Sequence, residues 1–255
     1  MTIDFHMHSE MSRRIPFSEA DFNNCIAEAK SENIDCIALT EHYNVNTNKV
    51  YKYLEDNYKY ESEYYLVNGI KVFIGTEVTT SMGLDIVFVG NRRDISNLRN
   101  TVINSTSENE YIEIEELFKI PNLNNMLVVL AHPFRHHDEF PKLPDFVLDK
   151  IDAIEYNATD LYKKGIDNMK EKVEGLSENI NIPVIGGGDS HHFTQIGSIK
   201  TILDKEAVSI EEIKKQVYEN QFKVEISNNL LLKVENARKI KKQELKNNEM
   251  GERDE

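Results

Sequence analysis

Short apolar runs alternate with longer amphipathic stretches along the chain, which predicts an α/β fold with largely parallel strands. The apolar runs place strands at residues 3–5, 36–39, 72–74, 86–89, 126–131, 153–156 and 183–185. Helical spacing places helices at 19–31, 48–65, 112–120, 160–176 and 210–220, with the Ser18 and Ser209 hydroxyls set to cap the first and last. Tyr51, Tyr53, Tyr58, Tyr60, Tyr64 and Tyr65 fall within the second of these helices. They read as packing, with base stacking as the alternative. No repeat, low-complexity block or Gly/Ser linker divides the chain. One domain is expected over residues 1–232, followed by a charged tail at 233–255, helical or disordered. That tail reads as a solvated helix or frayed end, with a partner-binding helix as the sharper alternative.

Composition narrows the class. The 255 residues are enough for one domain with a sizeable core, and 40% hydrophobic with 29% charged residues fits a folded globular protein. No apolar run approaches the ~20 residues of a membrane span, and no basic-then-apolar leader is visible, so no membrane role is expected. Cys25 and Cys36, the only two cysteines, sit inside apolar patterns. This excludes a disulfide scaffold and a cysteine-rich zinc module, and points to a reducing cytoplasm. The net charge of -14 argues against a broad basic surface for duplex nucleic acid. A phosphate-bearing substrate stays compatible, because bound metals reverse the local sign.

The chemistry lies at the ends of the predicted strands. The first runs into His6 and His8, the second into Glu41 and His42, the third into Glu77, the fifth into His132, and the last, after three glycines, into Asp189 and His191. Five of the eight histidines occupy these places. In a β/α barrel the C-terminal strand ends converge on one face, so residues far apart in sequence would meet there. His6 and His8 fall on the same side of an extended segment, with Met7 opposite, and two such imidazoles can chelate one ion. A carboxylate such as Glu77 can bridge two ions. Imidazole with carboxylate suits Zn, Mn or Fe. Asp4 and Thr40 are placed to orient neighbouring ligands. Glu41 reads as a ligand, an orienting acceptor or a helix-capping carboxylate. His136, His137 and His192 read as loop or surface histidines, with His192 also able to reach substrate beside His191.

The stretches Asp4-Phe5-His6-Met7-His8-Ser9, Ala38-Leu39-Thr40-Glu41-His42, Gly75-Thr76-Glu77-Val78, Ala131-His132-Pro133-Phe134-Arg135, Ile154-Glu155-Tyr156-Asn157 and Gly188-Asp189-Ser190-His191 resemble the polymerase and histidinol phosphatase (PHP) superfamily. The resemblance runs over roughly the first 200 residues. It implies a single-domain, distorted seven-stranded β/α barrel with two or three divalent metals (Mn, Zn or Fe) at its C-terminal face. Family members include histidinol phosphate phosphatases, nucleotide phosphatases, exonucleases and polymerase proofreading modules. Carried over, His6, His8, Glu77 and Asp189 would hold the first metal. Glu77 would bridge to a second that His132 also binds, and His42 with His191 would hold a third. His6, His8, Glu77, His132, Asp189 and His191 form the expected catalytic set, and the same six with His42 and Asp85 form the expected metal-ligating set.

Two positions depart from the family pattern. Where members often carry a His or Asp five or six residues after the second His, this chain has Arg13 and Arg14. Where many have a His on the strand after Gly-x-Glu, it has none, and Asp85 is the nearest ligand-type residue. Arg13, Arg14 and Arg135 are the candidate phosphate clamps, against surface salt bridges as the plainer role. A metal pair about 3.5–4 Å apart can share a hydroxide that attacks phosphorus in line. The expected activity is metal-dependent hydrolysis of a phosphate ester on a small molecule, a nucleotide or a nucleic-acid end. The alternatives are a nuclease subunit working with a partner protein and a catalytically lapsed barrel with a binding or regulatory role. The sequence does not specify substrate or oligomeric state.

Overall fold

In the computed structural model, residues 1–12, 15, 17–43, 48–106 and 111–251 are described. In chain order the strands and helices are β1 (Thr2–Met7), α1 (Glu19–Ser31), β2 (Cys36–Leu39), α2 (Asn48–Asn57), β3 (Tyr60–Glu61), β4 (Tyr64–Val67), β5 (Ile70–Thr79) and β6 (Asp85–Gly90). They continue with α3 (Arg92–Ser105), α4 (Ile114–Leu117), β7 (Leu127–Ala131), α5 (Asp145–Leu148), β8 (Ala153–Asn157), α6 (Ala158–Lys164) and α7 (Ile166–Ile180). The chain ends with β9 (Val184–Gly187), β10 (Ile199–Leu203), α8 (Ile210–Tyr218), β11 (Phe222–Ile226) and α9 (Leu230–Gly251).

The sheet order is β11-β10-β1-β2-β5-β6-β7-β8-β9. Seven of these strands, β1 to β9 without the β3–β4 hairpin, wind around a common centre. The turn is nearly closed by a parallel bridge between Met7 and Ser190, with the His8 amide donating to the Ser190 carbonyl at 2.9 Å. β10 and β11 extend the sheet beyond β1 as an antiparallel pair. The fold is thus the expected distorted β/α barrel, with two added edge strands. The expectation of largely parallel pairing is corrected: β1-β2-β5 and β7-β8-β9 are parallel, but β6 runs antiparallel to both β5 and β7, and the β3, β4, β10 and β11 pairings are antiparallel as well.

The reversed strand has a consequence for chemistry. Asp85 begins β6, opposite Thr79 at the end of β5 and Ala131 at the end of β7. Because the strand is reversed, its first residue lies at the face where the others finish.

Each barrel strand carries two faces because successive side chains alternate. Ile37, Leu39, Val72, Ile74, Ile86, Phe88, Val128 and Leu130 belong to the outer cluster under the helices. Ile3, Phe5, Ala38, Phe73, Val87, Val129 and Ile185 belong to the inner one, joined by Ile210, Ile213 and Val217 of α8. On β5 the inner face reads Phe73, Gly75, Glu77; on β8 it reads Ala153, Glu155, Asn157. Apolar residues therefore fill the strand starts, and acids arrive two and four positions later, at the strand ends.

Several predicted elements shift. The helix expected at 48–65 stops at Asn57, and Tyr60, Tyr64 and Tyr65 lie in the β3–β4 hairpin. The signal was Val67-Asn68-Gly69-Ile70: Asn68 (φ 51°) and Gly69 (φ 92°) make a two-residue hairpin turn into β5, which fixes 64–67 as a strand. The helix expected at 160–176 starts earlier and is broken at Gly165 (φ 91°). Ser18 and Ser209 do cap α1 and α8, accepting from the Asp21 and Glu212 amides. The charged stretch after residue 232 lies in α9, whose Leu230, Val234 and Ala237 are buried. Among the described residues, no helix is long and apolar enough to cross a membrane.

Candidate metal centre

Four donor atoms converge where β1, β5 and β9 end. The Nε2 atoms of His6 and His8 are 3.0 Å apart. His6 Nε2 lies 3.6 Å from Glu77 Oε2 and 3.7 Å from Asp189 Oδ1; His8 Nε2 lies 3.4 Å from each. All four residues are buried. These separations match the edges of a coordination shell: a tetrahedron with bonds of ~2.1 Å has edges of about 3.4 Å. Nitrogen and carboxylate oxygen are the donors that Zn, Mn or Fe take. The residues present fit a divalent cation.

Two further groups of donors share members with the first. Glu77 Oε1 meets His132 Nε2 at 3.0 Å, and His132 Nδ1 lies 3.6 Å from Asp85 Oδ2. Glu77 thus turns one oxygen toward His6 and His8 and the other toward His132, as a bridging carboxylate must. Near the mouth, His8, His42 and His191 bring ring nitrogens together, and His42 Nδ1 lies 3.0 Å from Glu77 Oε2. The imidazole of His8 stacks on both His42 and His191.

Charge at the cluster is strongly coupled. Burial alone would lower the His6 pKa, but Glu155, Asp189 and Glu77 outweigh it and raise it well above the usual range. His8, equally buried, is raised to about 9 through Asp189, Glu41 and Glu77. Conversely, Glu77 and Asp189 stay well below the ordinary carboxylate range despite burial, because His42 and His6 act on the first and Arg135 and His6 on the second. The site favours positive charge at its centre, which protons or a cation can supply.

Orienting contacts hold these donors from behind. Glu155 Oε1 lies 2.8 Å from His6 Nδ1, and its Oε2 accepts from the His132 amide at 3.0 Å. Glu41 accepts from the Ser9 amide and hydroxyl and faces His8 Nδ1 at 3.7 Å. Its hydrogen bonds come from Ser9, and its contact with His8 is an ion-pair distance rather than a hydrogen bond. Asp4 Oδ1 accepts from the His6 and Gly188 amides. Thr40 donates instead to the Met7 carbonyl, bracing the β1 end. Arg135 donates to Asp189 Oδ2 at 2.7 Å, to Asn157 at 2.8 Å and to Asp160 at 3.1 Å, so it holds Asp189 in place while facing the cavity.

Backbone geometry is specialised here. His132 (φ 30°) and Asp189 (φ 47°) both adopt the left-handed region that L-residues disfavour, a pattern common at functional sites. A Cβ at Gly187 would overlap the Glu155 carboxylate, and one at Gly188 would sit 2.5 Å from Asp4 Oδ2. The triple glycine therefore lets β9 pass directly against the residues that orient His6.

The structure brings His6, His8, His42, Glu77, Asp85, His132, Asp189 and His191 to one face, with Arg135 beside them. His192 is set back, its Nδ1 accepting from the Thr194 amide, though it lines the same cavity. His137 contacts the Met82 carbonyl. Arg13 and Arg14 lie outside the described residues. The sequence reading left Glu155 without a role, although it stands at the end of β8 like the other acids. It also passed over Arg99 on α3, whose buried guanidinium donates to the His42 carbonyl at 2.8 Å and to Thr76 Oγ1 at 3.1 Å.

A near-closed barrel with clustered imidazoles and acids at its strand ends defines a metal-site β/α barrel. The PHP domain family model matches residues 4–230, and the chain belongs to that family. Among solved structures, PsfC from Pseudomonas syringae PB-5123 is similar, with a TM-score of 0.72 and 17% identity over 95% of this chain and 98% of that one. The lesion-specific endonuclease Q from Pyrococcus furiosus aligns with a TM-score of 0.63 and 20% identity over 88% of this chain. This chain spans 58% of that endonuclease. Endonuclease Q in complex with a 27-mer duplex carrying an abasic lesion at its active site aligns with a TM-score of 0.61 and 20% identity, over 86% of this chain and 56% of that one. No curated protein sequence matches the chain.

Proposed function

We propose that the protein is a metal-dependent phosphoesterase that hydrolyses a phosphate ester on a small molecule, a nucleotide or a nucleic-acid end. The observation that carries this reading is the convergence of His6 Nε2, His8 Nε2, Glu77 Oε2 and Asp189 Oδ1 at coordination-shell spacing. His6, His8, Glu77 and Asp189 hold one divalent cation (Mn, Zn or Fe). Glu77, His132 and Asp85 hold a second, and His42 with His191 and His8 offer a third place nearer solvent. When bound, such cations polarise a phosphoryl oxygen and lower the pKa of water at the site.

The chain's own residues do the rest. Glu155 fixes the ring orientation of His6, and the Glu41 carboxylate faces His8 Nδ1 at 3.7 Å, so these donors are arranged before ligand arrives. Arg135, committed on one side to Asp189, Asn157 and Asp160, presents its remaining edge to phosphate oxygens. His192 lines the same cavity and is the side chain placed to give a leaving oxygen its proton, with water held near His42 or His191 as the other source. Membership of the PHP family supports a hydrolase, and the endonuclease Q likeness keeps nucleic acid among the candidate substrates. The buried thiols of Cys25 and Cys36 fit a cytoplasmic setting.

The test is a substrate panel run with metal analysis on one sample: p-nitrophenyl phosphate, nucleotides and a short oligonucleotide, with Mn or Zn. Wild type should turn over at least one of them, and the His6→Ala/His8→Ala variant none while remaining folded. A metal-loaded protein inert across the panel would instead be a binding or regulatory module. Activity confined to a partner-bound form would make it a nuclease subunit.

A further inference from the structure

The cavity above the donor cluster has a second wall, and that wall is cationic. Its volume is about 800 Å3, within the range that holds a whole drug-sized ligand and far beyond a lone phosphate. It runs from His42, Glu77, Asp189 and His191 past Arg135 and Lys163 to Arg238, Lys241, Lys242 and Lys246 of α9. The chain as a whole carries -14, so this concentration of positive charge runs against its composition.

The helix pattern sharpens the point. The inward row of α9 is Leu230, Val234, Ala237 and then Lys241, at steps of four, three and four. The first three are buried apolar residues. Lys241 takes the next place in that row, where an apolar side chain would ordinarily close the packing. Burial first, then the nearby Lys163 and Arg135, push its ammonium toward a lower pKa against the pull of Asp189. Lys163 is lowered likewise by burial, Arg135 and Arg238, against the pull of Asp160 and Asp189. Lys239, on the same wall, is neutralised by Glu235 at 2.6 Å, and Lys233 further up the helix pairs with Glu32 at 2.7 Å. Among the described residues no ion pair closes on Lys163, Lys241, Lys242 or Lys246. Lys241 is half-buried, while Lys163, Lys242 and Lys246 are exposed around the same cavity; cations crowded together without an ion-pair partner are stabilised by an anion from outside.

We propose that Lys163, Lys241, Lys242 and Lys246 form a second anion site, which takes a further anionic group of the ligand whose phosphate sits at the donor cluster. The substrate class is then one with at least two anionic groups, with the second a phosphate. Its source is either the next backbone phosphate of an oligonucleotide end or the second phosphate of a small bisphosphorylated molecule. The substrate part of this inference rests on reading the cluster as a phosphoesterase site; the anion site itself does not.

The experiment compares full-length wild type with Lys241→Ala/Lys242→Ala/Lys246→Ala and with Lys241→Met, which keeps the packing and drops the charge. In EDTA, a fluorescein-labelled, 5′-phosphorylated tetranucleotide is titrated by anisotropy. The triple variant is expected to bind at least tenfold more weakly, with a flatter salt dependence, and Lys241→Met about threefold more weakly. With Mn, kcat/KM is measured on p-nitrophenyl phosphate, on a 5′-phosphorylated dinucleotide and on fructose 1,6-bisphosphate. The triple variant is expected to lose at least tenfold more on one of the two larger substrates than on p-nitrophenyl phosphate, and the substrate affected identifies the source. Equal losses on all three, or unchanged binding in EDTA, would overturn the proposal. If the Mn-loaded protein hydrolyses nothing while the EDTA binding loss persists, the phosphoesterase reading fails and the anion site stands.

Discussion

His6 Nδ1 and Glu155 Oε1 meet at 2.8 Å inside the barrel, and this contact turns the opposite ring nitrogen of His6 toward His8, Glu77 and Asp189. A carboxylate behind a ligating imidazole fixes its tautomer and raises its basicity. Glu155→Gln keeps the shape and removes the charge. We expect metal affinity or activity to fall about 10–100-fold, the range for loss of such a partner, with little change in the far-ultraviolet circular dichroism. Metal titration by calorimetry checks it, and wild-type affinity in the variant would deny Glu155 this role.

Gly187 depends on the same pair. A methyl at this position would overlap the Glu155 carboxylate and come 2.8 Å from His6 Cβ. Overpacking of a tight core costs about 1–3 kcal/mol. Gly187→Ala should therefore lower the Tm and weaken metal binding together. Gly175→Ala is the control, because it sits on a helix with open space around it and should leave both intact. If Gly187→Ala binds metal normally, the close passage of β9 is not what sets His6.

Asp85 stands 3.6 Å from His132 Nδ1 and is buried. Burial and the nearby Glu77 raise its pKa, and a cation at Glu77 and His132 would favour its ionised form. Asp85→Ala should lower the metal retained after dialysis by about one ion per chain, read by elemental analysis, while the ion at His6 and His8 stays. Unchanged stoichiometry would show that Asp85 does not help to hold the second ion.

Much of this centre was legible because strand ends carry two signals at once. The apolar runs before His6, Glu77 and His132 mark strands, and the residue types that follow them mark chemistry. What escaped depended on relations between distant segments. Glu155 looks like any acid at a strand end until His6, 149 positions away, is seen against it. Asp85 stands out in the sequence as the nearest ligand-type residue, but the reason it reaches the site, the antiparallel course of β6, is not visible there. The aromatic stretch at 51–65 has residues suited to either helix or strand. The turn at Asn68 and Gly69 decides in favour of a hairpin, from outside that stretch. The cationic wall was hidden because Lys241 reads as a solvated charge in sequence, and its inward row appears only once α9 is docked.

The two thiols give a prediction about stability that is independent of metal. Cys25 lies on the buried face of α1 and Cys36 at the start of β2. Burial pushes the Cys25 thiol up to about 12 and Cys36 well above its usual range. At pH 8 a thiol with a pKa of about 12 is ionised in only about one part in ten thousand, and the thiolate is the reactive form. Ellman's reagent should find no fast-reacting thiol in the native protein and two per chain in 6 M guanidinium. In the unfolded chain the thiols ionise near pH 9, whereas in the folded protein Cys25 stays protonated to about pH 12 and Cys36 to well above its usual range. Between those values the folded state binds more protons than the unfolded one, so stability falls as pH rises. The slope is at most about 1.4 kcal/mol per pH unit for each thiol. Cys25→Ser/Cys36→Ala should flatten the decline in Tm between pH 9 and 11. A native protein that reacts rapidly at pH 8, or a double variant whose Tm declines as steeply as wild type, would contradict this account of the thiols.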